Sequence, residues 1–186
     1  MLCRTRLACS AAMDTTRYWQ LVEQARAGAG DAWQVAARLT DLLSALPPAE
    51  IIAAQQAFWA LMAASYRAPL WGAAYLANGG CSDDGFEYFR GWLIAQGREA
   101  FDRALADPDT LADLPAVQET ADRADLDCEE MLATAHDAYR RATGEELPPG
   151  SYTISYPGLD PDWSFDFDEG DELDRRLPRL AARYAR

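Results

Sequence analysis

Ala49-Glu50-Ile51-Ile52-Ala53-Ala54-Gln55-Gln56-Ala57-Phe58-Trp59-Ala60-Leu61-Met62-Ala63-Ala64-Ser65-Tyr66, entered through Pro47-Pro48, decides the fold. Proline suits the first turn of a helix, where the amide it lacks has no intrahelical acceptor. Alanine, the strongest helix former, fills most places between Ile51, Ile52, Phe58, Trp59, Leu61 and Met62. Little polar face remains. A helix apolar nearly all round must be enclosed by others, so this stretch predicts the central buried helix of a mainly α, compact single-domain bundle.

Its neighbours carry helical punctuation on both sides. Upstream, Asp31 opens a helix whose Val35, Ala36, Leu39, Leu42, Leu43 and Leu46 follow i, i+3, i+4 spacing. Before that, Thr15 or Thr16 is expected to cap a helix through Tyr18, Leu21, Val22 and Ala25, ending at Gly28 or Gly30. Downstream, Pro69 starts a short helix through Trp71, Tyr75 and Leu76, closed by Asn78-Gly79-Gly80. A fifth helix runs from about Ser82 to Gln96, with a break at Gly97 before Phe101–Leu105. Asp107-Pro108-Asp109 is a turn and cap signal, and one long helix is expected from about Leu114 to Thr143, stopped by Gly144.

Beyond Leu147-Pro148-Pro149-Gly150 the pattern changes. Tyr152, Ile154 and Tyr156 alternate with small polar residues, which suits a strand or an extended arm lying on the helical body. Asp160 to Asp174 holds eight acids and no base, and Arg175 to Arg186 holds five bases and no acid. Trp163, Phe165 and Phe167 are expected to anchor this acidic arm, each contributing roughly 1.5–3 kcal/mol if fully buried. Leu173, Leu177, Leu180 and Tyr184 make the last segment a short amphipathic helix. The expected division is a dispensable leader at 1–14, a helical domain at 15–150, and an extended segment, acidic arm and Arg-rich terminal helix at 151–186. Met13 is a second candidate start.

Composition excludes more than it identifies. The chain of 186 residues suits one domain. No apolar run approaches the roughly 18–20 residues of a membrane span. Thirty acids against seventeen bases give a net charge of −13, the reverse of what a phosphate-backbone or anionic-membrane binder carries. All seventeen bases are arginine, so Schiff-base chemistry and the phosphate-loop and kinase lysines are excluded. With one histidine, His136, a multi-histidine metal centre is excluded as well. Cys3, Cys9, Cys81 and Cys128 form no Cys-x-x-Cys pair. No signal-length apolar stretch opens the chain, so a cytoplasmic protein is expected, and no cofactor is expected from the motifs present.

The densest chemistry lies in Gly79-Gly80-Cys81-Ser82-Asp83-Asp84-Gly85-Phe86-Glu87-Tyr88-Phe89-Arg90-Gly91-Trp92. Ser82 is a good N-cap, and Asp83 and Asp84 complement the helix dipole. Spacing lets Asp83, Glu87 and Arg90 share one helical face. A capped helix with a surface ion pair accounts for this. A polar binding groove walled by Trp71, Tyr75 and Trp92 accounts for it too, and Trp71, Asp83, Asp84, Glu87, Arg90 and Trp92 form the candidate binding face. Cys81 as a nucleophile would need His136 as its base, and nothing in the sequence joins them. Asp160, Asp162, Ser164 and Asp166 alternate like a calcium loop, but Phe165 stands where that loop needs glycine.

Trp71-Gly-Ala-Ala-Tyr75 followed by Gly80-Cys-Ser-Asp-Asp-Gly-Phe-Glu-Tyr-Phe-Arg-Gly-Trp-Leu-Ile-Ala-Gln-Gly97 resembles the core of a bacterial family known as domain of unknown function 4240. The Tyr18-Trp19 helix, the Asp107–Leu111 turn and the Cys128-Glu129-Glu130 region fit the same pattern, over about Trp19 to Gly144. The resemblance implies a largely helical domain and no established reaction, ligand or catalytic residue. Two functions of different class are therefore compatible with the sequence. One is a non-catalytic binding or regulatory module for a basic protein or small ligand, such as an antagonist of a basic partner. The other is a metal-assisted hydrolase using Asp83, Asp84 and Glu87.

Overall fold

The segment 48–64 is a helix in the structure, a computed structural model that describes residues 13–119, 124–168 and 171–184. One side of it is buried, while Gln56, Ala60 and Ala64 are exposed, so it is not enclosed all round as expected. Ten α-helices occur among the described residues: α1 Thr15–Arg26, α2 Ala32–Ser44, α3 Pro48–Ala64, α4 Ala68–Asn78, α5 Asp83–Ala95, α6 Arg98–Ala106, α7 Pro115–Gln118, α8 Glu130–Thr143, α9 Glu172–Arg176 and α10 Pro178–Arg183. Short 3-10 turns span Pro108–Asp113 and Pro161–Trp163. α8 packs along α2 and against α3 and α5, while α1 covers α2 and α3. Ile51, Ala54, Phe58, Trp59, Leu61 and Met62 of α3 are all buried in the shared core.

The expected leader falls mostly on residues 1–12, which lie outside the described residues. The first helix is capped by Asp14 rather than by Thr15 or Thr16: its carboxylate accepts the Arg17 amide at 2.8 Å, and Met13 packs on the core.

The single long helix expected from Leu114 to Thr143 does not form. α7 is one turn, and residues 124–128 run without helix before α8 starts. A continuous helix would place Asp125 against Glu129 and Asp127 against Glu130, repulsive pairs at i, i+4 and i, i+3. Outside a helix the backbone finds partners elsewhere. Ala124 N–H donates to the Ala77 carbonyl (2.9 Å), Leu126 N–H to Asn78 Oδ1 (3.1 Å) and Cys128 N–H to the Tyr88 carbonyl (3.1 Å).

No strand occurs among the described residues. Residues 151–160 form an extended arm on the body, where Tyr152 stacks on Trp59 and Tyr156 on Tyr66, while Ile154 faces outward, 48% exposed. The Gln56 side-chain amide stands in for a strand neighbour: it accepts Thr153 N–H (2.8 Å) and donates to the Thr153 carbonyl (3.2 Å). The terminal amphipathic helix is two helices, α9 and α10, because Pro178 cannot donate into a continuous ladder. Leu173, Leu177, Leu180 and Tyr184 are all buried.

Candidate functional site

The α5 N-terminus follows its sequence closely. Ser82 Oγ accepts the Gly85 amide (3.2 Å), and Asp83 and Asp84 are exposed in the first turn. Trp71 holds the preceding turn against α4 by donating its indole N–H to the Cys81 carbonyl (3.0 Å), and its ring stacks on Phe86 at 4.7 Å.

Arg90 turns inward, away from the open face that holds Asp83 and Asp84. It is 1% exposed. Its Nε donates to the Phe86 carbonyl (3.1 Å) and its Nη1 to the Met62 carbonyl (2.8 Å). The guanidinium lies 4.8 Å from the Phe86 ring centre, 4.9 Å from Tyr156 and 5.2 Å from Tyr66. A weakly hydrated planar cation is well suited to such an aromatic box. Glu87 is 3.9 Å away and accepts the Tyr156 hydroxyl at 2.9 Å, which ties the arm to α5. Arg90 therefore fastens α3, α5 and the arm together from below. Trp92 is buried and lines a separate cleft of about 420 Å³ with Glu23, Arg26, Asp31 and Gln96. Of the six candidate residues, Asp83, Asp84 and Glu87 share a surface, Trp71 and Arg90 support it, and Trp92 belongs elsewhere.

Sequence reasoning missed the other half of that surface. Gly91 lets the 124–130 segment lie directly on α5; a Cβ at Gly91 would stand 2.8 Å from the Cys128 carbonyl oxygen. With Cys128 N–H bonded to the Tyr88 carbonyl, Glu129 comes to Tyr88 beside Asp84 and Glu87, and Asp125, Asp127 and Glu130 lie next to Glu129. Tyr88 registers the field. Its phenol is held above the ordinary value, first by Glu129, then by partial desolvation, Asp84 and Glu87. Asp127 is likewise pushed up, first by burial and then by Asp125, Glu130 and Glu129. Among the described residues, Asp83, Asp84, Asp125, Asp127, Glu129 and Glu130 have no ion-pair partner. The only sequence signal was the acid content of the two stretches, which are separated by some forty positions.

The thiol chemistry is not assembled. Burial pushes the Cys81 thiol up to about 12, against the lowering that a helix N-terminus provides. His136 Nε2 meets the Tyr152 hydroxyl at 3.3 Å instead of a thiol. The calcium-like stretch folds as local turns, in which Asp160 accepts Asp162 N–H (3.0 Å) and Asp166 accepts Asp168 N–H (2.9 Å). Among the described residues no group of three His, Cys, Asp or Glu side chains converges to hold a metal ion.

Fold and site together define an all-helical domain with an uncompensated acidic face and a buried arginine beneath it. The family described as Protein of unknown function (DUF4240) matches residues 13–141, and the chain belongs to it. The match spans α1 to most of α8; the arm, α9 and α10 lie beyond it. Neither the curated proteins nor the solved structures give a match. No helix among the described residues is long and apolar enough to cross a membrane.

Proposed function

We propose that the protein is a cytoplasmic, non-catalytic binding module that captures a basic protein partner on its acidic face. One observation carries this reading. Carboxylates from two remote stretches meet here without an ion-pair partner among the described residues: Asp84 and Glu129 both act on Tyr88, and Asp125, Glu129 and Glu130 act on Asp127. Like charges held together raise the free energy of the fold, and a cationic partner relieves that repulsion on binding. Such a field also speeds encounter and fixes orientation, and both effects weaken with salt because the Debye length is about 8 Å at physiological ionic strength. The hydrolase alternative has no comparable support, since among the described residues the acids do not converge on a metal-sized point.

The test is titration calorimetry of the protein with a nonapeptide carrying three spaced arginines, at several salt concentrations. The wild type is expected to bind and to weaken as salt rises. Asp84→Asn/Glu129→Gln is expected to bind more weakly with a flatter salt slope. Identical affinity and slope for the two proteins sinks the reading.

A further inference from the structure

The arm encloses a concavity against α4 that is distinct from the acidic face. Trp71, Tyr75 and Cys81 form the body side, and Trp163, Phe165 and Phe167 the arm side, around about 480 Å³. That volume falls within the roughly 300–1,000 Å³ of sites for small ligands and side chains. The arm rings make a continuous wall: Phe167 meets Tyr75 edge-on at 5.5 Å, Phe165 at 5.4 Å, and Phe165 meets Trp163 at 5.7 Å. Gly72 permits the approach, since a Cβ there would lie 2.8 Å from Leu173 Cδ1 and 3.0 Å from the Trp163 ring.

Asp160, Asp166 and Asp168 stand at the rim of this wall. The local turns at Asp160 and Asp166 occupy one oxygen of each carboxylate and hold the group in place, which leaves the second oxygen for a donor. Aromatic faces carry negative charge density and carboxylates add to it, so the pocket is complementary to a cation with an apolar or delocalised body. A guanidinium loses less on leaving water than an ammonium, and it can stack on a ring while its edge donates to a carboxylate. The chain already uses this combination twice. Arg176 lies 4.9 Å over Trp163 and 5.0 Å over Phe165 while its Nε donates to Glu172 (2.7 Å), and Arg90 sits among three rings beside Glu87.

We propose that the pocket between α4 and the arm receives the guanidinium of one arginine of the basic partner, stacked on the arm aromatics and bonded to the rim aspartates. This rests on the reading of a basic partner and adds to it a residue-specific socket, since the acidic face alone would take lysine and arginine alike.

The experiment compares the three-arginine nonapeptide with its three-lysine counterpart of equal charge. Wild type is expected to prefer the arginine peptide by about three- to ten-fold. Trp163→Leu and, separately, Phe167→Leu are expected to remove the preference while retaining binding, with helical circular dichroism unchanged. In unmutated protein, argininamide is expected to displace the arginine peptide at concentrations where lysinamide does not. Equal binding of the two peptides by wild type overturns the socket and leaves the basic-partner reading standing. A preference that survives both substitutions, or equal displacement by the two amides, also overturns the socket. Binding of neither peptide overturns both.

Discussion

Two regions of this molecule are rich in carboxylates, and they treat them in opposite ways. Where α9 and α10 dock, Asp109, Asp113 and Glu172 each meet donors. Asp113 binds Arg179 and, at 3.0 Å, Arg103. Glu172 binds Arg175 and, at 2.7 Å, Arg176. Asp109, 6% exposed, accepts the backbone amides of Arg179 (3.0 Å) and Leu180 (2.9 Å) at the start of α10. Around Tyr88 and Asp127 the acids instead act on one another. The titrations diverge accordingly. The hydrogen bond from Arg179 is the main reason the Asp113 carboxyl lies below its ordinary value, and that from Arg176 does the same for Glu172. Asp127 lies above its ordinary value. The first set stabilises the fold above the ordinary carboxylate range and loses that contribution as pH falls. Asp127 opposes the fold when ionised, and that opposition is relieved as pH falls. The C-terminal acids hold the chain together, whereas those around Tyr88 remain open to charge from outside.

If Gly91 is what brings the second set of acids onto α5, Gly91→Ala should break the contrast. The new methyl meets the Cys128 carbonyl, which belongs to backbone and cannot swing away. The expected loss is about 2–3 kcal/mol in denaturant unfolding. The Tyr88 phenol should also titrate closer to its ordinary value as Glu129 moves off, which absorbance titration will report. Unaltered stability together with unaltered Tyr88 titration would show that close approach does not gather the acids.

The opposite region is tested at Asp109. Asp109→Ala removes the acceptor for two α10 amides and is expected to cost about 1–2 kcal/mol. Residues 171–184 should then become the first site of native-state proteolysis. Asp109→Asn, which keeps one carbonyl acceptor, should cost less. Equal losses for the two variants would mean that the amide contacts contribute nothing.

Much of this architecture is visible in the sequence wherever a decision is local. α3 is legible as a helix because Pro48 opens it and alanine fills its apolar run, and the start of α5 because Ser82 and the two aspartates satisfy a helix end by themselves. That Gln56, Ala60 and Ala64 face water was not legible. The alternation of Trp163, Phe165 and Phe167 marks them as anchors, and all three pack against the core. Legibility ends where a distant partner decides. Residues 124–128 look helical until the Ala77 carbonyl, Asn78 and the Tyr88 carbonyl compete for their amides. Spacing pairs Arg90 correctly with Glu87 but does not say which side of α5 faces water; Phe86, Phe89 and Leu93 around it were the available signal. Asp109 sits in a cap motif, but it caps a helix seventy residues away. The candidate surface was half legible for the same reason, since its second acidic stretch is joined to the first only by tertiary contact.

The smallest effect is also the one most specific to the comparison. Asp127→Asn removes one charge from a group whose ionised form the fold disfavours, chiefly through partial burial and then through Asp125, Glu130 and Glu129. Its folded value is raised, so the ionised carboxylate lowers stability above that value and ceases to do so as the pH falls through it. The variant should therefore be more stable than wild type at pH 7, by a few tenths of a kcal/mol given the partial solvent screening. The advantage should shrink towards pH 4, where the wild-type carboxyl takes up its proton. Asp113→Asn should behave in reverse, less stable at neutral pH and converging with wild type in acid, because its carboxylate is held low by Arg179 and Arg103. Parallel denaturation curves from pH 4 to pH 8 separate the two signs. If Asp127→Asn destabilises at pH 7 as Asp113→Asn does, the acids around Tyr88 are structural after all, and the division between the two regions fails.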